Sequence, residues 1–165
     1  MNNFNTDFEF SKRSKETIFA FLRKSEFIDS IEDVENSKFY QNKGIDALLK
    51  SKNGTITAEL KADRYPANNI VFETQSNVDK NSPGCFIYSR ANLWIYHYVN
   101  SGVACIFEHS KALVLFGQKY SKRKPIFSKT NVGKGHYRTQ CTLVNVNEFE
   151  RDMHQIGAFF QKVVL

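Results

Sequence analysis

Apolar positions change period several times along this chain, and each change predicts an element. In residues 14–28, Ile18 and Leu22 share a face at i, i+4 spacing behind Ser14, a good N-cap, which predicts an amphipathic helix. Residues 44–63 alternate instead. Ile45, Ala47 and Leu49 precede Asn53-Gly54, and Ala58, Leu60 and Ala62 follow it, the pattern of a β-hairpin around a two-residue turn. Residues 68–76 read as a third strand and 77–84, with Pro83-Gly84, as a loop. A short helical turn and strands at 94–98 and 103–107, joined at Ser101-Gly102, are expected within 89–107. Residues 111–120 suggest a helix, 121–137 a polar, basic, glycine-containing loop, and 142–146 a strand. A last helix over 148–162 would bury Phe149, Met153, Ile156 and Phe160. No internal repeat is present. This order predicts an α/β fold in one domain spanning 1–165, with a central mixed β-sheet flanked by helices.

Composition narrows the function classes. A chain of 165 residues can bury a core without disulfides or a structural metal, and fifteen Phe and seven Tyr exclude disorder by composition. Cys85, Cys105 and Cys141 are odd in number and form no CxxC or zinc spacing, which fits a reduced, cytoplasmic compartment. The first residues lack the charged-then-apolar order of a signal peptide, and the longest apolar runs are too short to span a bilayer, so no membrane partner is expected.

Charge is unevenly spread. The net charge is +6, and the stretch between His109 and Asn147 holds Lys111, Lys119, Lys122, Arg123, Lys124, Lys129, Lys134 and Arg138 without one Asp or Glu. A basic loop at about 119–138 suggests a polyanionic partner, with DNA the leading case. Lys122, Arg123, Lys124, Lys129, Lys134 and Arg138 are the candidate contacts. The plainer reading of the same charges is a solubilising loop.

The hairpin carries the chemistry. With Asn53-Gly54 as the turn, Lys52 pairs with Thr55, Asp46 falls opposite Lys61, and Leu48 falls opposite Glu59. Side chains on a strand alternate faces, so Asp46, Glu59 and Lys61 project from one side while the apolar residues line the other. Magnesium takes oxygen ligands, typically one or two carboxylates with waters and substrate phosphate. Asp46 and Glu59 would supply the carboxylates and Leu60 a backbone carbonyl, with Mg2+ as cofactor and Mn2+ able to substitute. Lys61 would orient or deprotonate the attacking water, or offset charge on the phosphorane. The plainer alternative is a cross-strand ion pair on a solvated face.

These residues resemble the PD-(D/E)XK, or restriction-endonuclease-like, superfamily. Gly44-Ile45-Asp46 and Ala58-Glu59-Leu60-Lys61 carry the resemblance. It continues through Asn69–Glu73, Ser76, Pro83-Gly84 and the segment 89–96, an order similar to small phage and bacterial nucleases. Ile45 stands where many members have Pro, and Asn92-Leu93 where that group often has an acid. The resemblance implies a restriction-endonuclease-like sheet, metal-dependent phosphodiester cleavage, and the roles above for Asp46, Glu59 and Lys61. It also implies an acid on the first helix, where Glu16 matches by position. Glu73, at the end of the third strand with Gln75 two residues on, is a candidate second-metal ligand or water orienter. The expected function is a Mg2+-dependent DNA endonuclease, structure-specific or restriction-like, acting in a bacterial or phage-infected cell. A homodimer would suit cutting of two strands. The alternative is a nucleic-acid-binding protein on the same fold without chemistry. His97, His109, His136 and His154 suggest no dyad, and Trp94, Tyr96 and Tyr98 read as core.

Overall fold

Two sheets face each other across a core of aromatic side chains, and one long helix covers the outer face of the larger sheet. The computed structural model describes residues 4–66, 68–132 and 135–165. The elements in chain order are α1 (Phe4–Leu22), β1 (Ser30–Asp33), α2 (Lys38–Gln41), β2 (Ala47–Ser51), β3 (Gly54–Asp63), β4 (Asn69–Asn77), β5 (Ser82–Pro83), α3 (Cys85–Tyr88), β6 (Leu93–Tyr98), β7 (Val103–Glu108), α4 (His109–Leu115), β8 (Ile126–Val132), β9 (Gly135–Asn145), α5 (Val146–Gln155) and β10 (Phe160–Val164). A π-helical turn, Phe116–Tyr120, extends α4.

The larger sheet has six strands in the order β1-β2-β3-β6-β7-β10, and the smaller has four in the order β5-β4-β9-β8. The larger sheet is mixed, because β3 and β6 run parallel while its other neighbours are antiparallel. An α/β fold with a central mixed sheet flanked by helices is what the sequence predicts. No helix among the described residues is long and apolar enough to cross a membrane.

Alternation in the strands builds the layers. On one face Ala47, Leu49, Ala58, Ile95, Ala104 and Ile106 meet Ile18, Phe19 and Leu22 of α1. On the other, Trp94, Tyr98 and Phe107 meet Ile70 and Phe72 of β4 and Phe149 and Met153 of α5. Phe72 is the hub of this layer, with ring centroids of Phe86, Phe149 and Phe116 at 4.2, 5.2 and 5.7 Å.

Several boundaries differ from expectation. The first helix begins at Phe4 and ends at Leu22, so Ser14 is not an N-cap. It is buried within the helix, its Oγ 2.7 Å from Nδ1 of His97. The short strand β1, with Ile31 its lone apolar residue, goes unseen in the sequence, and the short helix α3 falls just before the segment in which it was expected. The basic segment 121–137 is not a loop: it holds β8 and the start of β9. Ile126 and Phe127 are half exposed, so β8 is held by its backbone ladder to β9 rather than by burial, and no apolar alternation announces it. The last helix stops at Gln155 because Gly157 turns the chain at φ +65°, and the following residues pair with β7. Ile156 is accordingly 39% exposed, and Phe160 is buried from a strand.

The hairpin register also shifts. Ser51 pairs with Gly54 and Lys50 with Thr55, which makes Lys52-Asn53 the turn. Asn53 is not among the positive-φ residues that a type I′ turn at Asn53-Gly54 needs. Instead Ser51 Oγ accepts from the Asn53 N–H at 3.2 Å and Gly54 takes φ +128°. The slip is two residues, so the strand side chains keep their predicted faces, but Ile45, which precedes β2, packs with Leu48 in the opposite layer from Ala47 and Leu49.

Candidate active site

The site forms where β3 outruns β2. The β2 ladder reaches Ala47 opposite Ala58, but β3 continues to Asp63. Asp46 sits just before β2, and its own N–H donates to Ala58 O at 2.9 Å. Its Oδ2 then accepts the Leu60 N–H at 2.8 Å, so a carboxylate caps the strand edge where a backbone partner is missing. Extending the register by one residue places Glu59, not Lys61, directly opposite Asp46. Lys61 becomes the diagonal neighbour.

Glu59 is only 3% exposed. Its Oε1 lies 2.5 Å from Lys61 Nζ, while its Oε2 has no hydrogen-bond partner among the described residues. Lys61 Nζ also lies 5.7 Å from the Trp94 ring centroid. Burial alone would lower the Lys61 pKa, but Cys85, Glu59 and Asp46 around it outweigh burial and raise it, so the ammonium persists. Burial and then repulsion from Glu59 push Asp46 up to about 6, against the pull of the Leu60 N–H and Lys61.

Two neighbours hold these residues. Gly44, at φ +59°, packs so closely that a Cβ would lie 3.0 Å from Ser89 Cα and 3.1 Å from Tyr88 Cε2, and Ser89 Oγ donates to Gly44 O at 2.8 Å. That contact fixes the turn entering Asp46. Helix α1 supplies Ser11, Ser14 and Lys15 to a cavity of about 60 Å3 shared with Glu35, Asp46 and Lys61. Lys15 Nζ lies 2.7 Å from Asp33 Oδ2 and also bonds Glu35 Oε2.

The remaining predicted residues divide. Glu73 Oε1 accepts the Cys85 N–H at 3.1 Å, and Glu73 acts electrostatically on Cys85 and Tyr88, as do Glu59 and Lys61, so it borders the site from the smaller sheet. Gln75 is not its partner. A bulge separates the two, and Gln75 Nε2 donates to Asn81 Oδ1 at 2.7 Å in the following turn. Glu16 is exposed on α1 and lines a neighbouring depression with Asp33 and Glu35, not the Asp46 cavity. Besides Glu59, the acid that acts on Asp46 is Glu35, which lines the Asp46 cavity and which the sequence did not single out. Asn92 has a structural task, accepting from the Thr57 N–H and Oγ1 at 2.9 Å each. His97 and His109 bond Ser14 Oγ and Phe86 O inside the core, and Trp94, Tyr96 and Tyr98 are buried.

The basic segment is partly neutralised in space. Arg123 lies 2.5 Å from Glu148, Lys119 2.5 Å from buried Asp152, and Arg138 3.2 Å from Asp79. Lys122, Lys124 and Lys129 are exposed, and no acidic partner is seen for them among the described residues. Lys134 lies outside the described residues.

Among the described residues no three His, Cys, Asp or Glu side chains converge as a metal cage. Magnesium does not need one, since it keeps several waters and takes few carboxylates. Asp46 and Glu59 face each other, and one buried Glu59 oxygen lacks a partner. Residues on a strand send N–H and C=O to the same edge, so the Leu60 carbonyl leaves β3 on the Asp46 side, beyond the end of β2. This donor set fits one hard divalent cation. No family model, no curated protein and no solved structure matches the chain.

Proposed function

We propose that this chain is a Mg2+-dependent deoxyribonuclease, an endonuclease of the PD-(D/E)XK type that hydrolyses phosphodiester bonds. The observation that carries the reading is Glu59: a carboxylate 3% exposed, opposite Asp46, with one oxygen on Lys61 and the other without a hydrogen-bond partner among the described residues. An unsatisfied buried carboxylate oxygen costs about 1–3 kcal/mol, and a cation between Glu59 and Asp46 would satisfy it.

Asp46, Glu59 and the Leu60 carbonyl would hold the ion, Mg2+ or Mn2+. Once bound, such an ion polarises the scissile phosphate and lowers the pKa of a coordinated water. The protein's own part is positioning and charge. Asp46 is oriented by the Leu60 N–H, and Glu59 is oriented by Lys61. Lys61, kept protonated by its neighbours, supplies a fixed positive charge for the oxygens that gain charge as the phosphorane forms. Glu73, which accepts the Cys85 N–H on the smaller sheet, would orient water. Lys122, Lys124 and Lys129 would anchor the DNA backbone in a sequence-independent way.

The test is cleavage by purified protein of linear, single-stranded, nicked and branched DNA with Mg2+ or Mn2+, against an EDTA control. Metal-dependent cutting of at least one substrate, lost in Asp46→Asn, is the expected result. Full activity in EDTA would remove the metal mechanism. Metal-independent binding with no cutting of any substrate would leave a nucleic-acid-binding protein on the same fold.

A further inference from the structure

The acids beside Asp46 already hold a cation. Lys15 leaves α1 toward the turn after β1, where its ammonium lies 2.7 Å from Asp33 Oδ2 and also bonds Glu35 Oε2. Its side chain is 18% exposed. The Glu35 N–H donates to Asp33 Oδ1 at 3.1 Å, which orients the Asp33 carboxylate, and Gln41 Nε2 donates to the Glu35 backbone O at 2.6 Å, which anchors the turn. Lys15, Glu35, Asp46 and Lys61 line one cavity of about 60 Å3, and Glu35 acts electrostatically on Asp46. Phosphoryl-transfer sites with two metal ions place the ions about 3.5–4 Å apart and share carboxylates between them. Glu35 is the other carboxylate that lines this cavity with Asp46, and an ammonium already engages it.

We propose that Lys15, held by Asp33 and Glu35, is the resident cation of the cavity that Glu35 shares with Asp46, and that it confines the site to a single divalent ion. Lys15 is a positioning residue in this account, since it acts on the site through Glu35. The inference rests on the divalent-ion reading above but concerns stoichiometry, so the two fail differently.

The experiment is Mn2+ binding to the full chain without DNA, by titration calorimetry or by the loss of the free-ion paramagnetic signal. Wild type is expected to bind one ion. Lys15→Met keeps the apolar stem and removes the charge, so it should take up about one additional ion per chain. Lys15→Arg should restore the wild-type count. Two ions on wild type, or one on folded Lys15→Met, would overturn the inference and leave the divalent-ion reading standing. No ion on wild type would remove both. Should Lys15→Met fail to fold, the double variant Asp33→Asn/Glu35→Gln exposes an uncompensated Lys15 charge to the remaining site. Mn2+ affinity should then fall about tenfold with the count unchanged. Unaltered affinity there would equally overturn the assignment.

Discussion

Asp46 has two tasks, and substitutions can separate them. Its carboxylate caps the Leu60 N–H and also faces Glu59. Asp46→Asn keeps an oxygen for the Leu60 N–H, so it should melt within a few degrees of wild type while losing divalent-ion binding. Asp46→Ala should lose both, with an additional stability loss of about 1–3 kcal/mol for the unpaired amide in chemical denaturation. Equal stability of the two variants would deny the capping role. At this scale the sequence was informative where residues are close along the chain. Asp46, Glu59 and Lys61 cluster as expected despite the wrong turn, because a slip of two residues preserves faces. Lys15 and Glu35 were out of reach, since the packing of α1 brings the one and the pairing of β1 with β2 the other beside Asp46.

Elements hold the site through two joints. The first is between β4 and α3, where Gly84 lies so near the preceding strand that a Cβ would meet Glu73 O at 2.2 Å. Gly84→Ala must therefore push α3 away from Glu73, and we expect a loss of about 1–3 kcal/mol in denaturation with weakened cleavage. A wild-type midpoint would show that the joint yields freely. The second joint is α1 on the larger sheet, where Ser14 meets His97, a residue 1% exposed whose Nε2 has no partner among the described residues. Burial lowers the His97 pKa from its ordinary 6.5, so the unfolded chain takes up a proton that the folded chain refuses. Stability should therefore fall as pH drops below about 6.5, down to the folded-state value, and the fall should be shallower in His97→Asn. An identical pH slope in that variant would discount His97. The hairpin strands β2 and β3 and the strands β4, β6 and β7 were legible in the sequence. The strands β1 and β8 were not, because each lies at a sheet edge with few apolar residues to mark it.

For the whole molecule the charge map differs from the charge sequence. The segment between His109 and Asn147 carries eight basic residues, yet Lys119, Arg123 and Arg138 are met by Asp152, Glu148 and Asp79 from elsewhere in the chain. Replacing Lys122, Lys124 and Lys129 with Gln should weaken DNA binding and lower the salt slope by about 0.9 per lost phosphate contact. Arg123→Gln should instead loosen the packing of α5, with a smaller effect on the slope. An unchanged slope in the triple variant would assign these lysines to solubility.

The central claim is that Asp46, Glu59 and Lys61 hydrolyse phosphodiesters, and Lys61 tests it most directly. Lys61→Ala is the wrong variant, because it would strand the Glu59 carboxylate 3% exposed without its partner. Lys61→Gln keeps a donor for Glu59 and removes only the charge. The measurement is the single-turnover cleavage rate of labelled DNA in Mg2+, with melting temperature and DNA affinity taken in parallel. The account predicts near wild-type folding and affinity and a rate lower by about 10²–10³-fold, the scale of one preorganised electrostatic group. Wild-type cleavage by a folded Lys61→Gln protein would contradict it.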